Sequence, residues 1–84
     1  MESIKTVITL ELSIYHRDRR LPTLDTFGIY STLFNCLKGL LQFENLTEQQ
    51  MAEFLMEKEI RIEHPIGDYV YRAVYVDIDG FLNQ

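Results

Sequence analysis

A chain of 84 residues with a 46% hydrophobic share makes one small domain, residues 1–84, and excludes a disordered protein. The formal charge of −5 argues against bulk attraction to nucleic acid or to an anionic membrane. The lone cysteine, Cys36, excludes an intrachain disulfide. With no signal-like start and no run of about 18 apolar residues, it points to a reducing, cytoplasmic setting.

Residues 4–16 alternate. Ile4, Ile8, Leu10, Leu12 and Ile14 share one parity, whereas Lys5, Thr9, Glu11, Ser13 and Tyr15 share the other. That period of two predicts a half-buried strand with its even face on the core. The stretch YHRDRRLP then breaks the pattern. Pro22 and the charges mark a loop, and Arg17, Arg19 and Arg20 place three of the eight basic residues in it.

Residues 24–43 read as a helix capped by Asp25 or Thr26. Its apolar arc, from Phe27 to Phe43, is wider than the roughly 100° stripe that packing on one sheet requires. A second helix or a partner is expected to cover the excess. Gly28 and Gly39 would allow that neighbour to approach closely. A second helix over 48–57 has a clear start. Thr47 and Gln50 fit a capping box, and Leu46 with Met51 fits a hydrophobic staple. Residues 59–64 alternate again with Ile60 and Ile62 inward, PIGD turns the chain, and 69–79 form a third strand.

The expected fold is a two-layer α+β domain of order β-α-α-β-β. Its three-stranded sheet runs 1-3-2, with both helices on one face. In the third strand Val70, Val74, Val76 and Ile78 are placed inward. Tyr69, Tyr71, Ala73 and Tyr75 then lie on the uncovered face, joined by Tyr15 and Val7. Tyrosine gives large contact area at low entropy cost, so this face is a candidate docking surface. Arg72 falls on the core parity and would need a carboxylate from Glu53 or Glu57.

Enzymatic patterns are sparse. The triplet His16–Arg17–Asp18 matches a kinase catalytic loop in three residues only, without the Gly-rich loop, strand lysine or DFG that a kinase requires. His16 and His64, with Asp18 and Asp68 nearby, would sit at one end of the sheet, about 10 Å apart across two strand spacings. Asp77 and Asp79, with Glu2, could hold a metal or work as acid and base. Cys36 sits among apolar neighbours and reads as a core residue.

The expected function is therefore non-enzymatic: a small protein-binding inhibitor or accessory factor of the kind viruses and mobile elements encode. It would be homodimeric and would use no cofactor or metal. The expected contact residues are Tyr15, Arg17, Arg19, Arg20, Tyr69, Tyr71 and Tyr75. A metal-dependent hydrolase and a single-stranded nucleic-acid binder are the alternatives.

Overall fold

The computed structural model describes residues 6–77. Six elements follow in order: β1 (Thr6–His16), β2 (Thr23–Tyr30), α1 (Leu33–Leu40), α2 (Glu48–Glu57), β3 (Glu59–His64) and β4 (Gly67–Asp77). The strands form one antiparallel sheet of order β2-β1-β4-β3. Both helices pack on one face of it, which makes a two-layer α+β domain.

The expected three-stranded sheet is corrected to four strands. The three expected strands keep their relative order as β1-β4-β3, and β2 adds an edge beyond β1. Residues 24–30, expected in the first helix, belong to that strand instead. Two physical causes are visible. β1 has eleven residues whose second edge needs hydrogen-bond partners, and β2 supplies them. Gly28 has φ +57°, the left-handed region, and sits where the β1–β2 register slips between Ile8 and Leu10. A glycine in that conformation makes a bulge and stops a helix.

The helix starts later than expected. Thr32, not Asp25 or Thr26, is its cap, accepting the Asn35 N–H at 3.1 Å. Cys36, Leu37 and Leu40 of α1 are buried, while Phe34 is 58% exposed and carries the Lys38 ammonium 5.3 Å from its ring centre. The second helix forms as expected. Thr47 accepts the Gln50 N–H at 3.1 Å, and the Gln50 side chain accepts the Thr47 N–H at 2.9 Å. Lys58 closes it in the left-handed conformation, and Phe54 is fully buried.

Cross-strand register decides the faces. Leu12 lies opposite Tyr71, Leu10 opposite Ala73, Ile14 opposite Tyr69 and Ile8 opposite Tyr75. Residues directly opposite share a face. The even residues of β1 therefore face the helices as expected, but so do the tyrosines of β4. Tyr71 is only 2% exposed and belongs to the core, and Tyr69 packs against it. The tyrosine-rich open face is thus corrected: of the expected tyrosines only Tyr15 lies on it, with Val7 as expected, and Tyr75 projects on the helix side.

The open face is instead a lattice of charges over small β-branched residues. Glu11, Arg72 and Glu59 are aligned across β1, β4 and β3. Arg72 donates to Glu59 at 2.9 Å, so its partner is neither Glu53 nor Glu57. Arg61 donates to Asp68 at 2.9 Å, and its guanidinium lies 5.7 Å from the Tyr15 ring centre. No helix among the described residues is long and apolar enough to cross a membrane.

Candidate functional site

The loop between β1 and β2 and the turn between β3 and β4 meet at one end of the sheet. Two residues, Pro65 and Ile66, connect His64 to Gly67. Neither has a positive φ. A two-residue hairpin normally uses a left-handed turn, because the ordinary kinds splay the strands. Here an outside brace is present. Arg17 donates from Nη2 to the His64 carbonyl at 2.8 Å and from Nε to the Pro65 carbonyl at 3.2 Å. Its backbone N–H donates to the Ile66 carbonyl at 3.1 Å. The same guanidinium lies 3.6 Å from Asp68. Arg17 therefore acts as a bolt between two loops rather than as a free contact residue.

Gly67 makes the junction possible. A Cβ there would overlap the Tyr15 carbonyl oxygen and the His16 Cα. Only glycine lets β4 come this close to β1 at that point.

The bolted loop displays what it does not use. Arg19 and Arg20 are exposed and make no ion pair among the described residues. By contrast, Arg17, Arg61 and Arg72 all reach a carboxylate. Leu21, next in the chain, is 79% exposed, and Ile66 across the bolt is 55% exposed. Arg19 and Arg20, with Leu21, Pro22 and Thr23, line an open depression. Sequence reasoning picked out the arginines but missed Leu21 and Ile66. Their signal was an apolar side chain inside a loop, where no core claims it.

The flat edge of β2 is a poorer docking site. The Thr26 N–H is already taken by the Asp25 carboxylate at 2.9 Å, and the Gly28 bulge distorts the strand. Both devices discourage an incoming strand.

No family model, curated protein or solved structure matches this chain. Its function has to be read from the residues alone.

The enzymatic candidates separate. His16 pairs through Nε2 with the Thr23 hydroxyl at 2.9 Å, whereas His64 pairs through Nε2 with Glu44 at 2.7 Å. They flank Gly67 from opposite strands and share no partner. Among the described residues no group of three His, Cys, Asp or Glu is placed to hold a metal. Asp77 is exposed at the end of β4, and Asp79 and Glu2 lie outside the described residues.

Glu44 is a buried polar group that sequence reasoning passed over entirely. Its side chain is 7% exposed, in the connection between α1 and α2. One carboxylate oxygen, Oε2, accepts from the Tyr71 hydroxyl at 2.7 Å and meets His64 Nε2 at 2.7 Å. The His64 ring also stacks on Tyr69, with centroids 4.2 Å apart. Burial, reinforced by the Glu44 contact, pushes the Tyr71 phenol above the usual tyrosine range. A phenol so held is a structural donor. Nothing in the sequence marks Glu44, because a single buried carboxylate in a loop has no periodicity.

Cys36 is fully buried, and burial pushes its thiol up to about 11. At pH 8 only on the order of one part in a thousand is thiolate. Labelling by a thiol-exchange reagent is expected to proceed at the rate of unfolding and to become immediate in denaturant. Fast labelling of the folded protein would contradict this core placement.

Proposed function

We propose that this protein is a small non-enzymatic interaction module, an inhibitor or accessory factor that works by docking on a protein partner through its loop tip. The observation that carries the reading is the pair Arg19–Arg20. These two guanidinium groups make no ion pair among the described residues, stand beside the exposed Leu21 and follow the braced Arg17. Arginine next to an apolar anchor is the composition that binding hot spots favour. Bracing of the loop through Arg17 also lowers the ordering cost of binding. The partner surface that suits it is acidic around a small apolar pocket.

The expected role of the tyrosines changes accordingly. Tyr15 remains beside the tip on the open face, whereas Tyr69 and Tyr71 serve the core. Tyr71 is buried and Tyr69 is partly buried against it, which counts against the stacking platform that a single-stranded nucleic-acid binder would use.

The test compares capture from extracts of producing cells by immobilised wild type and by Arg19→Glu with Arg20→Glu. Loss of two hot-spot arginines is expected to reduce capture at least about tenfold. Equal capture by both proteins would overturn the assignment of the tip.

A further inference from the structure

The tip has a counterpart on the same molecule. Between α2 and β3 runs a groove lined by Glu53, Glu57, Glu59, Ile60 and Arg61. Glu53 and Glu57 stand four residues apart on one helix face, both exposed, and neither forms an ion pair among the described residues. Like charges at that spacing disfavour a helix slightly. Glu59 is already joined to Arg72, and Arg61 is drawn to Asp68. The groove thus has two carboxylates without an ion pair among the described residues; Ile60 lies beneath it and is only 2% exposed. The tip has two uncompensated guanidinium groups next to an exposed leucine. The two surfaces carry unbalanced charge of opposite sign.

The two surfaces cannot meet within one molecule. The tip joins β1 to β2 at one edge of the sheet, and the groove borders β3 at the other edge, with β1 and β4 between. The loop is also held at both ends, by Arg17 on one side and by β2 on the other.

We propose that the tip of one copy docks in the α2–β3 groove of a second copy. Arg19 and Arg20 face the partner's Glu53 and Glu57. This rests on the reading of the tip as a docking surface and names one occupant for it. The contact is head to groove. Two such contacts related by a two-fold axis close a pair, whereas a single repeated one extends a chain.

The test uses two charge-reversed variants of the full chain: Arg19→Glu with Arg20→Glu, and Glu53→Arg with Glu57→Arg. All four positions are exposed, and circular dichroism checks that both variants fold. Light scattering over a range of concentrations then gives the solution mass. Wild type is expected to associate, and to dissociate as salt is raised from about 0.05 to about 0.5 M, because screening shortens the reach of the charges. Each variant alone is expected to be monomeric, since its tip and groove now carry like charges. An equimolar mixture of the two is expected to regain the wild-type mass, because every tip then finds a groove of opposite sign.

A mixture that stays monomeric would overturn the proposal, as would a groove variant that associates like wild type. A monomeric wild type that still captures a foreign protein through Arg19 and Arg20 would end the self-contact and leave the docking reading intact. Loss of both behaviours would end both. If charge reversal unfolds the groove variant, Glu53→Gln with Glu57→Gln replaces it, and undiminished association of that variant would count against the contact.

Discussion

Replacing Glu44 by alanine is expected to destabilise the fold by about 3 kcal/mol, because it strands the buried Tyr71 hydroxyl and takes away the partner of the part-buried His64. Among the described residues the Tyr71 hydroxyl has no other acceptor and the His64 Nε2 no other partner. Three segments meet at this one oxygen: the connection between the helices, the end of β3 and the middle of β4. Its loss unfastens the helical layer from the sheet as well as leaving donors unpaired. The measurement is the urea midpoint at constant denaturant slope. Tyr71→Phe removes the hydroxyl but keeps the ring, so it is expected to cost about 1 kcal/mol. The double variant should cost clearly less than the sum, because both changes delete the same bond. Additive costs would show that the two groups do not act through each other.

Gly67→Ala is the second large expected effect, about 3 kcal/mol, at the upper end for forcing atoms into a packed place. The obstruction is backbone rather than the end of a mobile side chain. The new methyl group meets the Tyr15 carbonyl and the His16 Cα, so β1 and β4 must separate where they enter the loops. Arg17 would then span a wider gap to the His64 and Pro65 carbonyls. The substitution is therefore expected to impair docking even at temperatures where the domain stays folded, which sets it apart from a core substitution such as Leu10→Ala. A variant as stable as wild type would mean that the strands already have room there.

Much of the architecture was legible because its signals were local. The alternation of β1, the alternation of β3 and the Thr47–Gln50 box each needed only a few neighbouring residues. The faces of β4 were not local. Both parities of that strand are apolar, one carrying valines and the other tyrosines, so periodicity alone could not choose. The choice is made by the turn. With His64 opposite Gly67, a two-residue connection pairs Ile62 with Tyr69 and Ile60 with Tyr71. An inward even residue on β3 therefore demands an inward odd residue on β4. That inference was available from the shortness of the turn. The tyrosines also suit the place: two short helices leave depth over the sheet that valine would not fill. β2 was misread because its apolar residues continue into those of α1 without a break. Gly28 signalled the change, but a glycine in an apolar run also suggests close packing.

For the candidate site, the arginines were legible as a cluster but their division of labour was not. Whether an arginine in a loop is a bolt or a free contact depends on which carbonyls stand opposite it, and those belong to a turn far along the chain. Arg17 became structural for that reason, while Arg19 and Arg20 were left outward.

The central pairing also has a kinetic meaning. β1 pairs with β4 along its whole length, from Thr6 opposite Asp77 to His16 opposite Gly67, and everything between those strands lies inside the loop that this pairing closes. The β1–β2 and β3–β4 hairpins can each form from residues close in sequence. Their union must wait for a long closure whose entropy is lost before its contacts are gained. The step that joins the two hairpins also brings Arg17 to the Pro65 turn, so that braced junction is expected to form late in folding.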